Sequence, residues 1–183
     1  MKRPIILLAG QLGAGCTEVA MELSKILGLE VKNTEKLLRT IASQFHESFG
    51  ELSENVRSGE IDLELVLLGL ARELTTTENG TIIEGRTALL LLDRPVDLKI
   101  LLLRENADRA EFISKSRGIM PDEARHEMQK SDQERENRVK DLFHLNWLDP
   151  LLYDVVLNTS RMDPGSAASL IAQIARSRGL LSA

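Results

Sequence analysis

Two patterns alternate along the chain: short unbroken apolar runs, and longer stretches in which apolar residues recur every three or four positions. "PIILLAG" (4–10) is the first run, bounded by Pro4 and Gly10, and it predicts a fully buried strand of the parallel-sheet kind. In "CTEVAMELSKILG", Val19, Ala20, Leu23, Ile26 and Leu27 fall at helical spacing and Gly28 supplies the stop. A short strand near "LEVK" (29–32) and a helix from about Thr34 to Phe45 follow. "IDLELVLLGLAREL" (61–74) is apolar nearly all round, which predicts a helix that is buried or lies at a subunit contact. "GTIIEG", from Gly80, and "DLKILLL" (97–103) predict two more buried strands, with a helix over 107–118 after them. "YDVVLNT" (153–159) is the last strand, and 163–179 the last helix, with Asp163 as N-cap, Pro164 at its first position and Gly179 as its stop.

Strands alternating with helices imply an α/β fold, a parallel sheet covered by helices on both faces. No internal repeat or linker interrupts the pattern, so residues 1–183 read as one domain. One stretch departs from it. From Pro121 to Lys140 there is no apolar residue between Met128 and Val139, so this helix should face water or close over something charged.

Composition narrows the function classes. Hydrophobic residues make up 43% and charged residues 28%, as in globular domains. A net charge of -5 argues against a polymeric nucleic-acid footprint, and 3% aromatics against stacking platforms. No apolar run reaches the length of a membrane span, and the basic opening "MKRPIILLAG" is too short for a signal-peptide core. The single cysteine excludes an internal disulfide framework and suits a reducing, cytoplasmic setting.

The candidate chemistry begins where the first strand ends. "GQLGAGCT" comprises Gly10, Gln11, Leu12, Gly13, Ala14, Gly15, Cys16 and Thr17, and it fits the phosphate-loop pattern G-x-x-x-x-G-K-[ST] except that Cys16 replaces the lysine. Strand, glycine loop and helix are the setting in which backbone amides and a helix N-terminus cradle phosphate oxygens. Thr17 would then hold Mg²⁺ through its hydroxyl. The competing reading is a tight strand-to-helix turn without a ligand.

Downstream segments extend the pattern. "NTEKLLR" (33–39) matches the D-T-G-x-x-x-R segment of cytidylate kinases at Thr34 and Arg39. "EGRTALLLLDRPVDLKILLL" is similar to their D-G-R-D segment and its following strand, and "SDQERENRVKDLF" with "LDPLLYDVVLNTS" resembles their lid and last strand. The chain thus resembles the cytidylate-kinase-like nucleoside monophosphate kinases over nearly its whole length. That resemblance implies a three-layer P-loop kinase fold with a five-stranded parallel sheet, a monophosphate-binding region at about 33–75 and a helical lid at about 118–145. It implies ATP and Mg²⁺ as donor and cofactor, CMP or dCMP as favoured acceptors, and a monomer or homodimer. Thr34, Arg39 and Arg86 would bind the acceptor's phosphate, and Arg135 and Arg138, with Arg86, would act on the transferring group.

Each assignment has a plainer counterpart. Arg135 and Arg138 lie on an acidic helix where a solvated, salt-bridged face is ordinary. Arg39 could be a surface helix residue. Arg86 stands at a strand's C-terminal edge, where open α/β sheets bind ligands. Glu84 could orient water or Mg²⁺, or cap the next helix. Asn33, Glu35 and Thr87 depart from the family pattern, and the acidic residue that Thr87 replaces helps such kinases recognise cytosine. Together with Cys16 these departures support a second reading, a nucleotide-binding sensor without kinase activity; a third is a kinase acting on another small acceptor. Lys2, Arg3, Lys32 and Lys36 could supply the missing charge, though no spacing rule takes them there. At a helix N-terminus the Cys16 thiol could have a lowered pKa, or simply fill space. His46, His126 and His144 lack metal-ligand spacing, Trp147 and Tyr153 read as core anchors, and "NTS" (158–160) fits a sequon with no use in a cytoplasmic protein.

Overall fold

Five strands, β1 (Ile5–Gly10), β2 (Val31–Lys32), β3 (Thr81–Glu84), β4 (Leu98–Leu103) and β5 (Val155–Asn158), form one sheet in the order β2-β3-β1-β4-β5. Every neighbouring pair is parallel, so each connection must cross over a face of the sheet, as the alternating pattern requires. The computed structural model describes residues 3–44, 63–76 and 78–181. Phe45, His46, Ile61 and much of the expected monophosphate-binding region lie outside the described residues.

The helices in chain order are α1 (Cys16–Leu27), α2 (Thr34–Gln44), α3 (Leu63–Leu74), α4 (Arg86–Leu89), α5 (Asn106–Arg117), α6 (Pro121–Phe143) and α7 (Pro164–Ser177). Residues of alternating parity on the strands face opposite layers. Ile6 and Leu8 of β1, with Ile100 and Leu102 of β4, pack beneath α1 and the alanine face of α7. Ile5, Leu7 and Ala9, with Ile83 and Leu101, pack on the other side against α3, α4, Val139 of α6 and Trp147. Both faces of the central strands are therefore sealed, which is why these strands read as unbroken apolar runs. The Leu-rich run at 89–92 is buried.

The last strand is shorter than the apolar pattern predicts. Asp149 caps a 3₁₀ turn at Pro150–Leu152. The Tyr153 hydroxyl then donates to the Trp147 carbonyl at 2.7 Å, which holds Tyr153 back from the ladder. A third, small cluster (Ile113 of α5, Ala124 and Met128 of α6) takes in Leu12 from the glycine loop, so α5 and α6 pack directly on that loop.

Candidate functional site

The glycine loop is shaped by close approach as much as by turn geometry. Gly13 and Gly15 have φ of 84° and 89°, the left-handed region in which side-chain-bearing residues are strained. A side chain on Gly10 would collide with Sγ of Cys16 and come within 2.9 Å of the Leu102 carbonyl. One on Gly13 would press the Arg109 carbonyl at 3.0 Å. Inside the loop, Ala14 N donates to the Gln11 carbonyl at 3.0 Å. The buried Thr159 hydroxyl donates to the Ala14 carbonyl at 2.8 Å. The segment resembling a sequon is thus a brace: Thr159 holds the loop, and Ser160 accepts from Glu105 N at 2.9 Å. Gly15 caps α1 without a side-chain bond, so no side chain of the cap competes for the helix's first amides, the groups that bind anions.

A row of polar side chains crosses the C-terminal ends of β2, β3 and β1. Glu84 is buried, and its Oε1 accepts from Thr17 Oγ1 at 3.3 Å and Asn33 Nδ2 at 3.1 Å. Its carboxylate therefore bonds to these neutral donors instead of capping α4. Burial raises its pKa, opposed by those two hydrogen bonds. Among the described residues no cationic side chain bonds to it, and no group of three or more His, Cys, Asp or Glu could hold a metal. A buried carboxylate beside a threonine hydroxyl, both hard oxygen donors, fits Mg²⁺, which binds through one or two protein oxygens and takes the rest from water and phosphate. Beyond Glu84, the Thr34 and Thr87 hydroxyls share a 3.0 Å hydrogen bond.

Helix α6 carries the charges. Its buried positions are Ala124, Met128, Ser131, Arg135 and Val139, one stripe at helical spacing whose middle members are polar. Arg135 donates through Nη1 to the Ser131 carbonyl at 3.1 Å and to the Ser131 hydroxyl, while its Nε is buried without a hydrogen-bond partner. Arg86 reaches Glu134 at 3.2 Å and Ser131 Oγ at 3.4 Å. Arg39 instead forms an exposed pair with Glu35 on its own helix at 2.8 Å, and Arg138 is half-buried on α6 away from the loop cavity.

Sequence reasoning passed over the residue that ties these parts together. Arg109 of α5 is 1% exposed. It donates to both Asp132 oxygens at 2.8 and 2.7 Å, to Asn106 at 3.2 Å and to the Leu12 carbonyl at 2.8 Å. One guanidinium joins loop, α5 and α6. The available signal was an arginine inside an otherwise ordinary helix pattern, with its partner far along the chain.

Two cavities open between these elements. One of about 230 Å³ is lined by the loop, Thr17, Glu84 and Arg135. The other, of about 440 Å³, is lined by Arg86, Lys130, Ser131 and Glu134. Leu12, Arg117 and Arg135 border both.

Of the two readings of Cys16, a lowered pKa or a residue that fills space, the structure supports the second. Its sulfur lies against Gly10, and loss of solvent there, with the Glu84 charge adding, pushes the thiol up to about 12. These effects outweigh the helix N-terminus, so the thiol is neutral. The other suggested charge donors are engaged elsewhere. Arg3 caps the far end of α1 through the Leu27 and Gly28 carbonyls at 3.0 and 2.9 Å. Lys32 pairs with Glu30 at 2.7 Å, and Lys36 donates to the Val31 carbonyl at 2.6 Å. Lys2 lies outside the described residues.

Among the described residues no helix is long and apolar enough to cross a membrane. In overall fold the chain is similar to an uncharacterized protein from Eubacterium ventriosum (TM-score 0.76, 19% identity, 96% of this chain and 99% of that one). It is also similar to the shikimate kinase of Acinetobacter baumannii (TM-score 0.62, 15% identity, 98% and 96%). In sequence it is 30% identical over 166 residues to the cytidylate kinase of Methanothrix thermoacetophila, covering 91% of this chain and 94% of that protein. The sequence profile of the cytidylate kinase-like family matches residues 63–161, which span β3, the lining of the second cavity apart from Leu12, and the Thr159 brace. Fold, loop setting and sequence agree: this chain belongs to the cytidylate kinase-like family.

Proposed function

We propose that the protein transfers a phosphoryl group from ATP to a nucleoside monophosphate, with CMP or dCMP as the favoured acceptor. The observation that carries this reading is the pair of cavities with a shared cationic wall. The loop cavity would take the donor's phosphates on the amides of residues 11–17. The larger one would take the acceptor, with Arg86 on its phosphate after displacing Glu134. Arg135 stands at the border, where negative charge accumulates as the group moves; a guanidinium fork suits such oxygens. Thr17 and Glu84 would hold Mg²⁺, which supplies neutralisation of charge on the donor's phosphate oxygens. Helix α6, acting as a lid, would exclude water that would otherwise consume ATP by hydrolysis. Support for the acceptor class comes from the relatives named cytidylate kinase. Thr87 is bonded to Thr34 and carries no charge, so base preference rests on other groups than the acidic residue of the family pattern.

The neutral Cys16 thiol favours one alternative, a nucleotide-binding protein without transfer activity. Phosphoryl transfer from ATP with Mg²⁺ to CMP, dCMP, UMP, AMP and GMP separates the two. The kinase reading expects turnover with at least one acceptor, cytidine nucleotides foremost, and its loss in Glu84→Gln. Bound nucleotide without turnover would support the alternative. Silence with every nucleotide but turnover of a hydroxyl-bearing metabolite would move the acceptor class.

A further inference from the structure

We infer that Arg135 supplies, from α6, the positive charge that the phosphate loop lacks at Cys16, so that donor phosphates are held by backbone amides on one side and a single guanidinium on the other. This rests on the reading that the loop binds the donor. It assigns the donor-binding charge to a different element of the chain from the one the loop pattern uses.

Four observations converge on it. Arg135 lines the same cavity as Gly10, Gly13, Gly15, Cys16 and Thr17. It is buried, yet its Nε has no hydrogen-bond partner, and its Nη1 bonds go to a carbonyl and a hydroxyl, which leave its charge unneutralised. A buried cation in that state is costly unless an anion joins it. The carboxylates near it bond to other groups: Asp132 to Arg109, Glu134 to Arg86, and Glu84, which shares the cavity and acts on Arg135 only through space, to Thr17 and Asn33. Finally, Asp132 lies three residues before Arg135, so the bidentate Arg109 pair that ties α6 to the Leu12 carbonyl also fixes where Arg135 sits.

Other cations fit less well. Arg3, Lys32 and Lys36 are engaged elsewhere. Arg86 borders the second cavity and not the first. Arg117 borders both, but it is half exposed and paired with Glu127. On the loop side, Cys16 turns its sulfur against Gly10, and a lysine in its place would bring a second cation to the cavity that Arg135 lines.

The test is a charge swap read by binding. Calorimetric affinity for ATP with Mg²⁺ is measured for wild type, Arg135→Gln, Arg135→Lys, Cys16→Lys and the double variant Cys16→Lys/Arg135→Gln. Loss of one charge-assisted phosphate contact should weaken binding by about 10- to 100-fold in Arg135→Gln. Arg135→Lys should retain part of the affinity, and the double variant should recover most of it. Should Arg135→Gln fail to fold, Arg135→Met keeps the apolar stem without the charge and carries the same expectation. Wild-type affinity in Arg135→Gln or Arg135→Met, or a double variant as weak as the single, overturns the inference. Transfer assays run alongside keep the two readings apart. Arg135-dependent ATP binding without transfer to any acceptor leaves the inference standing and removes the kinase reading. Transfer with Arg135-independent ATP binding does the reverse. A wild type that does not bind ATP overturns both.

Discussion

The glycine loop and helix α6 face each other across one cavity and are built on opposite principles. The loop is shape without charge: Gly13 and Gly15 in left-handed conformations, Gly10 pressed on Cys16, and a neutral thiol where a cation is usual. Helix α6 is charge without much shape of its own, a 23-residue helix whose buried stripe is completed by Ser131 and Arg135. If Arg135 serves the loop as inferred above, a motif that lacks its charged residue still meets a cation, brought by another element of the fold.

The comparison breaks first at the clamp. Asp132→Ala would leave Arg109, 1% exposed, as a buried charge without its carboxylate. Removing one partner of such a pair costs about 3–5 kcal/mol, or roughly 10 °C in melting temperature for a chain of this size. Thermal unfolding measures it, and a melt matching wild type would mean that loop and α6 are not tied together. Next comes the carboxylate beneath the loop. Burial raises Glu84 above its ordinary 4.5, so the folded chain holds this proton more tightly than the unfolded chain. Its contribution to stability is therefore greatest in acid and declines as pH rises from about 4.5 through the folded value. Glu84→Gln should flatten that decline and melt no lower than wild type at pH 7, while Mg²⁺-dependent turnover is lost. Melting curves between pH 4 and 7 decide it; an unchanged pH slope would show that Glu84 is not the group responsible. The smallest effect sharpens the role of Arg39. Glu35→Ala removes an exposed pair worth about 0.3–0.5 kcal/mol and frees the guanidinium. Stability should barely move, and the acceptor KM should fall about twofold, the scale of that small energy, with kcat unchanged. An unchanged KM would leave Arg39 a surface residue.

How much of this was legible follows from where the determinants lie. Strands β1, β3 and β4 were readable because burial on both faces leaves an apolar run with no gap, and the glycine loop because its pattern is contiguous. The buried stripe of α6 was not, because Ser131 and Arg135 occupy positions that periodicity expects to be apolar. Arg109 was hidden for the same reason, since its burial depends on Asp132, 23 residues away. Of the two readings of Cys16, the space-filling one agrees with the structure; the lowered pKa does not, because the helix N-terminus is visible in sequence whereas the desolvation and the Glu84 charge that outweigh it come from the folded surroundings. Arg39 was ambiguous in sequence, and in the structure Glu35, the residue standing where the family pattern has glycine, occupies it.

Gly13, Arg109 and Asp132 depend on one another as a set. The first leaves room for the backbone of the second, whose side chain is held by the third. A recombination breakpoint anywhere between residues 13 and 132 divides this set, even where the register of the sheet is preserved on both sides. Chimeras joined beyond Asp132 keep it whole. A loop grafted over residues 10–17 keeps the set only if it retains glycine at position 13, because any side chain there meets the Arg109 backbone.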